Sequence, residues 1–310
     1  MSDADMSSEA NSKARFIRPA PLGRLCGLIA ATFLGVNTTL ARLAYDGGSD
    51  PFTVIGSRFL FCAVTTGLII RLAHRTTIIP RQTWPLTLCV TVVWFLGPTS
   101  YLWSVFFIPV SLAALIFYTF PLMVAAASVI TEGARLGPAR VGAFLLAFAG
   151  LAIALSPSIH GLDWRGIALS FLAAIGTALT LILSKRLIAE QGVFTFTLYM
   201  NTGSVVLITG ILWIAGGITP PNETTGWIGL SGATFGFAVG VLAMFTAIQF
   251  VGPVPTALMM NLEPLISILA AAVVLGERLT PLQLAGAIMV AGALTLSMRA
   301  DADHPSRQLG

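Results

Sequence analysis

The sequence predicts an all-α integral membrane protein with ten transmembrane helices, arranged in two inverted five-helix repeats. Three observations lead to this fold class. Only 10% of the 310 residues are charged, whereas a soluble domain carries about 25%. Gly, Pro and charged residues divide the chain into ten apolar runs. The second half of the chain also matches the first half when it is shifted by 143 residues.

The scarcity of charge excludes two broad classes of protein. A soluble domain needs a charged surface, and a disordered chain needs low hydrophobicity, yet 56% of this chain is hydrophobic. The net charge of +4 is not concentrated in an aromatic-interleaved basic patch, so no nucleic-acid partner is expected. Three cysteines, each inside an apolar run, argue against a disulfide framework or a zinc site. The lipid bilayer is the expected environment.

The ten apolar runs each approach the length of about 20 residues that a membrane-spanning helix needs. Two longer stretches are divided at Pro109 and Pro253, because proline favours a tight turn there. The predicted spans are 23–43, 52–72, 84–107, 110–131, 138–156, 163–187, 194–216, 226–250, 254–275 and 280–298.

The distribution of Lys and Arg predicts the orientation, because these residues concentrate in cytoplasmic loops. With a cytoplasmic N-terminus, thirteen fall on the inner side and three on the outer side. A multi-pass protein of the cell (inner) membrane with both termini in the cytoplasm is therefore expected. The inner residues are Lys13, Arg15, Arg18, Arg24, Arg71, Arg75, Arg81, Arg135, Arg140, Lys185, Arg186, Arg299 and Arg307, and the outer ones are Arg42, Arg165 and Arg278.

The internal repeat gives 21 identities in 133 aligned pairs without a gap, where composition alone would give roughly a dozen. Trp84 aligns with Trp227, and Pro121 aligns with Pro264. Each half holds five spans, an odd number, so the halves must cross the membrane in opposite orientations, as in many secondary transporters. We expect a cytoplasmic tail over 1–22, repeats over 23–157 and 158–298, and a second cytoplasmic tail over 299–310.

Two segments carry a resemblance to a known family. Residues 110–155, which begin Val-Ser-Leu-Ala-Ala-Leu-Ile-Phe-Tyr-Thr-Phe-Pro-Leu, and residues 253–295 resemble the second part of an EamA repeat. The second segment contains Asn-Leu-Glu-Pro-Leu from 261 to 265 and Gly-Glu-Arg-Leu-Thr-Pro from 276 to 281. EamA domains belong to the drug/metabolite transporter superfamily, and the resemblance covers nearly the whole chain outside the tails.

The resemblance implies a secondary transporter that moves a small organic metabolite by alternating access, with efflux favoured. Amino acids, nucleosides and drug-like compounds are the substrate classes it suggests, and import of a vitamin or metabolite is the alternative. The expected partners are a small-molecule substrate, a coupling proton or counter-substrate, and lipid. A homodimer is a further expectation left open, as are a membrane-embedded enzyme and a passive channel.

Arg58 and Glu263 are the two charges that lie well inside apolar runs. A charge at this depth is costly and often marks a transport pathway. Arg58 would engage a substrate carboxylate or gate the outer side, and Glu263 would bind a substrate amine or a proton. The alternative is a structural pair, and a depth difference of roughly 9 Å leaves direct pairing open. The resembled family also tends to carry Arg-Phe in its second helix, which Arg58 and Phe59 match.

Other candidates are polar or aromatic side chains and prolines within the spans. Pro121 and Pro264 each remove a helical hydrogen bond, so they are candidate hinges or site-lining residues, with ordinary kinks as the alternative. For each polar or aromatic candidate, packing against a neighbouring helix is the alternative to substrate binding. These candidates are Asn37, Trp94, Tyr101, Tyr118, Asn201, Gln249 and Asn261.

Several catalytic patterns are missing from the sequence. No Gly-x-x-x-x-Gly-Lys-Ser/Thr segment is present, so the chain is not expected to hydrolyse ATP. The three His residues, His74, His160 and His304, lie in predicted loops or tails, which gives no support to a buried triad or metal site. We therefore expect neither an enzyme nor a bound cofactor or metal.

Overall fold

The computed structural model describes residues 20–74, 77–105, 107–132, 137–156, 163–274, 276 and 279–302. Within these residues it contains helices and no strand. Most of both predicted tails lies outside the described residues. The same holds for Lys13, Arg15, Arg18, Arg75, Arg135, His160, Arg278, His304 and Arg307.

Twelve helices make up the described chain. The first half contains α1 (Ala20–Asp46), α2 (Pro51–Leu72), α3 (Trp84–Ser104), α4 (Val110–Phe117), α5 (Phe120–Glu132) and α6 (Pro138–Leu155). The second half contains α7 (Trp164–Gln191), α8 (Val193–Ala215), α9 (Thr224–Val251), α10 (Pro253–Met260), α11 (Glu263–Val274) and α12 (Pro281–Ala302). A short 3₁₀ turn, Arg81–Thr83, precedes α3.

These helices confirm the predicted fold class. Nine segments of the described chain are long and apolar enough to cross a membrane, when α4 and α5 count as one segment and α10 and α11 as another. Helix α12 adds a tenth, shorter apolar segment, Pro281–Ser297. The protein is thus an all-α membrane protein whose two halves each supply five apolar segments.

The start of α2 is fixed by a side-chain cap. Asp50 Oδ1 accepts hydrogen bonds from the backbone N–H of Phe52 at 2.7 Å and of Thr53 at 3.1 Å, and Pro51 occupies the first turn. Burial raises the pKa of the Asp50 carboxyl, but hydrogen bonds from Thr53 and Phe52 outweigh it and hold that pKa below its usual value. The cap places Arg58 two turns into the helix.

Helix pairs that join the two halves form the core. Helix α1 packs against α9, α3 against α7, α2 against α8, and α6 against α12. Under the 143-residue shift, α1 corresponds to α7 and α3 to α9, so the first two pairs are equivalent. Gly23 of α1 packs on Phe250, and its equivalent Gly166 of α7 packs on Phe107, the equivalent of Phe250.

Equivalent helices run in opposite directions. Along the contact between α2 and α8, Gly56 faces Ile208 and Leu212, whereas Gly67, three turns further along α2, faces Leu198. Residue numbers therefore rise along one helix as they fall along the other. Since α2 and α8 correspond in the repeat, the two halves are inverted relative to each other.

The contact between α1 and α9 depends on residues without side chains. A Cβ added to Gly229 of α9 would lie 2.6 Å from both Ala44 N and Leu40 O of α1. Gly210 of α8 is the opposite case, because a Cβ added there meets nothing within 4 Å. Alanine substitution at these two positions therefore distinguishes the effect of close helix packing, present at Gly229, from the effect of helix propensity alone, present at Gly210.

We predict that Gly229→Ala lowers the free energy of unfolding by about 1–3 kcal/mol, because α1 must move away from α9. Gly210→Ala should leave it unchanged or raise it by up to about 1 kcal/mol, since alanine favours the helix and has room there. Denaturant unfolding in detergent micelles measures both. Equal effects at the two positions would contradict this account of the α1–α9 contact.

Candidate functional site

Two transmembrane segments are interrupted at equivalent positions near their middle. Helix α4 ends at Phe117 and α5 begins at Phe120, while α10 ends at Met260 and α11 begins at Glu263. The register aligns the two interruptions residue for residue. Each new helix carries a proline as its second residue, Pro121 or Pro264.

The backbone tightens on approaching each interruption. Thr119 N donates to Ile116 O at 3.1 Å, and its equivalent Leu262 N donates to Met259 O at 3.0 Å. Both bonds span three residues instead of four, which marks a 3₁₀-like end of the first half-helix. Each proline lacks the N–H that a continuous helix would need at that position. Helix α10 packs against α5, so the two interrupted segments meet inside the protein.

Glu263 is the first residue of α11, directly after the second interruption, and Arg58 of α2 lies close enough to interact with it electrostatically. Both side chains are half-buried. The Tyr118 hydroxyl lies close enough to the Glu263 carboxylate to act as its hydrogen-bond partner. No ion pair between Arg58 and Glu263 occurs in the described part of the chain, so the two charges share one region without direct contact.

Arg58 retains unused hydrogen-bonding capacity. Its Nε atom is buried and has no hydrogen-bond partner. The nearby charged or titratable side chains are Glu263 and Tyr45, the latter near the end of α1. A guanidinium offers five N–H donors, so Arg58 can still donate hydrogen bonds to an anionic or carbonyl group of a ligand.

Aromatic rings surround the interruption of the first half. The Tyr101 ring lies 5.1 Å from the Phe117 ring, and the Phe117 ring lies 5.1 Å from Tyr118 and 5.3 Å from Phe120. Tyr101 also lies within electrostatic range of Glu263. The structure thus brings four predicted residues together: Arg58, Tyr101, Tyr118 and Glu263.

Trp94 belongs to a different aromatic group. Its ring lies 5.7 Å from Phe245 and 6.3 Å from Phe237, both on α9. The Trp94 side chain is buried, and its Nε1 atom has no hydrogen-bond partner. These contacts place Trp94 between α3 and α9.

The remaining polar candidates lie apart from the charged centre or bond the backbone. Asn37 Nδ2 donates to Ala233 O across the α1–α9 contact. Asn201 donates to Thr197 O within α8 at 2.8 Å, and Asn261 donates to Leu258 O at the second interruption at 3.2 Å. Gln249 is exposed, two residues before the end of α9.

Sequence reasoning singled out neither Tyr45, which lies within electrostatic range of Arg58, nor Gln191, which donates hydrogen bonds to Thr83 and Thr87. Tyr45 lies near the end of its helix, where an aromatic residue is typical of a membrane-interface belt. Gln191 lies at a helix end, where a polar side chain is expected to face water. What identifies these two residues is their proximity to side chains of other helices, and that proximity exists only in the folded chain.

Comparison with known proteins agrees with this architecture. The model of a family described as the EamA-like transporter family matches residues 21–156 and again residues 164–299. An uncharacterized transporter, YvbV of Bacillus subtilis (strain 168), is 26% identical over 275 residues, covering 84% of this chain and 87% of that protein. A solved structure described as the crystal structure of a protein shares the fold with a TM-score of 0.73 at 18% identity. That similarity covers 89% of this chain and 98% of the other.

Proposed function

The chain belongs to the EamA-like transporter family, and we propose that it is a secondary transporter that moves a small organic metabolite out of the cell by alternating access. Membership makes it a membrane transporter of the drug/metabolite type. The outward direction is proposed from the family resemblance of the sequence alone.

One observation carries the proposal: two half-helices begin at the same region as the unpaired charges Arg58 and Glu263. The N-terminus of a helix carries a partial positive charge. At α11 this charge is met by Glu263 in the first turn, whereas the first turn of α5 contains no acidic residue. The centre therefore contains one cationic side chain, Arg58, and one anionic side chain, Glu263, and the start of α5 adds a partial positive charge that no acidic residue of its own first turn offsets.

This charge separation suits a substrate that carries both charges. A substrate carboxylate would bind Arg58, and an amine or a coupling proton would bind Glu263. The rings of Tyr101 and Tyr118 would contact the body of the substrate, since aromatic faces attract cations and stack on planar groups. Interrupted helices that meet between inverted repeats are a common form of substrate site in secondary transporters.

Solute counterflow in proteoliposomes tests the function. Vesicles loaded with a metabolite should take up the labelled form of the same metabolite transiently above equilibrium, and the initial rate should saturate with concentration. Amino acids, nucleosides and drug-like amines form the first panel. A flux that is linear in concentration and shows no exchange would identify a passive pore instead.

We predict that Glu263→Gln lowers the counterflow rate by about ten- to a hundredfold, because it removes a charge-assisted contact with the substrate or the site of a coupling proton. Glu223→Gln is the matched control, since Glu223 is the exposed residue that precedes α9. Protein in the membrane should be equal for both variants by immunoblot. Normal counterflow in Glu263→Gln would show that this carboxylate is structural.

We further propose that both termini face the cytoplasm, on the basis of the Lys and Arg distribution. A reporter that is active only in the cytoplasm should then give a signal when it is fused after Gly310. The same reporter inserted after Gly217, which lies between α8 and α9 on the opposite side, should stay silent. The reverse pattern would overturn the proposed orientation.

A further inference from the structure

The two ends of the bundle are closed by equivalent contacts that differ in chemistry. At one end, Gly47 follows α1 and lies so close to Gly226 of α9 that an added Cβ would collide with its Cα. Asn222 N donates to Gly47 O at 2.8 Å, and Ser49 Oγ donates to Thr219 O at 2.8 Å. We call this the Gly47 end. Its closure rests largely on backbone atoms.

At the opposite end, which we call the Gln191 end, a side chain makes the corresponding contact. The register makes Thr83 the equivalent of Gly226. Gln191 Nε2 donates to Thr83 Oγ1 at 3.0 Å and to Thr87 Oγ1 at 2.7 Å, which joins the end of α7 to the start of α3. The Oε1 atom of Gln191 is buried and has no hydrogen-bond partner.

Polar atoms without partners continue from this end along α8. Thr197 lies about one turn into α8 and Asn201 about two turns. Both residues are 0% exposed, and both Thr197 Oγ1 and Asn201 Oδ1 lack a hydrogen-bond partner. The bond from Asn201 Nδ2 to Thr197 O uses the amide nitrogen and leaves the amide oxygen unsatisfied.

Helix α2 shows the same pattern on its half nearest the Gln191 end. Thr66 is 0% exposed, and its Oγ1 atom has no partner. It lies at the level of Leu198 on α8, because the adjacent Gly67 faces Leu198. About two turns back along α2, the unpartnered Nε of Arg58 extends the series to the charged centre.

The other half of α2 differs, since its polar side chains are bonded. Thr53 Oγ1 bonds Asp50, and Ser57 Oγ donates to Val54 O at 2.8 Å and lies 3.2 Å from Thr234 Oγ1. A buried polar atom without a partner disfavours the state in which it is buried. Water or a polar substrate would satisfy the unpartnered atoms of α8 and of the Gln191 half of α2 when these helices part, whereas the bonded side chains on the other half of α2 gain nothing from opening.

We propose that the substrate passes between the centre and the Gln191 end along Thr66, Asn201 and Thr197, and that Gln191 is the latch that closes this path. The inference rests on the proposed function in one respect, which is that the molecule moving along the path is a small polar metabolite. The separation of α2, α3, α7 and α8 at the Gln191 end does not depend on which molecule is transported. The Gly47 end is instead closed by the contact of Gly47 with Gly226 and by hydrogen bonds to the backbone oxygens of Gly47 and Thr219.

Thiol labelling tests the path without a substrate. The cysteine introduced by Thr197→Cys, in a chain whose Cys26, Cys62 and Cys89 are replaced by Ala, should react with N-ethylmaleimide in proteoliposomes. Gln191→Leu should speed this reaction about tenfold, because two hydrogen bonds that hold the closed state are lost. An unchanged rate would overturn the role of Gln191 as a latch.

A matched position excludes general loosening of the structure. Ile208 is 1% exposed on the same buried face of α8, toward the Gly47 end. The thiol of Ile208→Cys should stay unreactive whether residue 191 is Gln or Leu. An equal acceleration at both positions would overturn the path, since Gln191→Leu would then have loosened the whole bundle.

A crosslink tests the latch in the working transporter. Oxidation of the double variant Thr87→Cys, Gln191→Cys should stop counterflow, and reduction should restore it. Counterflow at the full rate after crosslinking would overturn the inference. The labelling experiment needs no substrate, so it distinguishes the two proposals. If Gln191→Leu speeds labelling at residue 197 but the protein shows no counterflow, the proposed transport function is wrong and the path to the Gln191 end is still supported.

Discussion

The backbone of this protein must satisfy its own hydrogen bonds, because hydrocarbon offers none, and the rest of the structure depends on that constraint. It makes every crossing segment helical and confines any interruption to the protein interior. The interruptions at Tyr118 and Asn261 obey it, since they meet where α5 packs against α10. The interrupted helices, the charges of Arg58 and Glu263 and the aromatic rings therefore share one region.

Inversion of the repeat explains why this region lies at the centre. Helix pairs such as α1–α9 and α3–α7 are equivalent contacts that cross between the halves. A rearrangement that loosens one pair at its end has a counterpart at the opposite end of the other pair. The two ends need not be equally strong, and here one is built on Gly47 and Gly226 whereas the other is built on Gln191. Divergence of side chains on a shared backbone plan therefore gives a symmetric fold two ends of different chemistry.

Part of the site was readable in the sequence, for a physical reason. A charge in an apolar run is so costly that Arg58 and Glu263 stand out without any structure. Prolines were less informative. Pro98 lies inside α3, which continues past it, whereas Pro121 and Pro264 each follow a two-residue break. A proline without an N–H is thus tolerated inside α3 but accompanies an interruption before α5 and α11. The local sequence does not distinguish these cases, because the outcome depends on packing against neighbouring helices.

The sequence by itself determined the environment, the number of crossing segments, the repeat and the two charges that lie within apolar runs. Each of these depends on the composition or period of a continuous stretch of chain, which the linear order records. Tertiary structure alone decided that Tyr118 stands beside Glu263, that Asn37 bonds Ala233, and that Gln191 bonds Thr83 and Thr87. These partners are far apart in the chain, and which of them meet depends on how the faces of uniformly apolar helices pack. Hydrophobicity drives such helices into the membrane but does not distinguish one face from another, so close packing and hydrogen bonds make that choice.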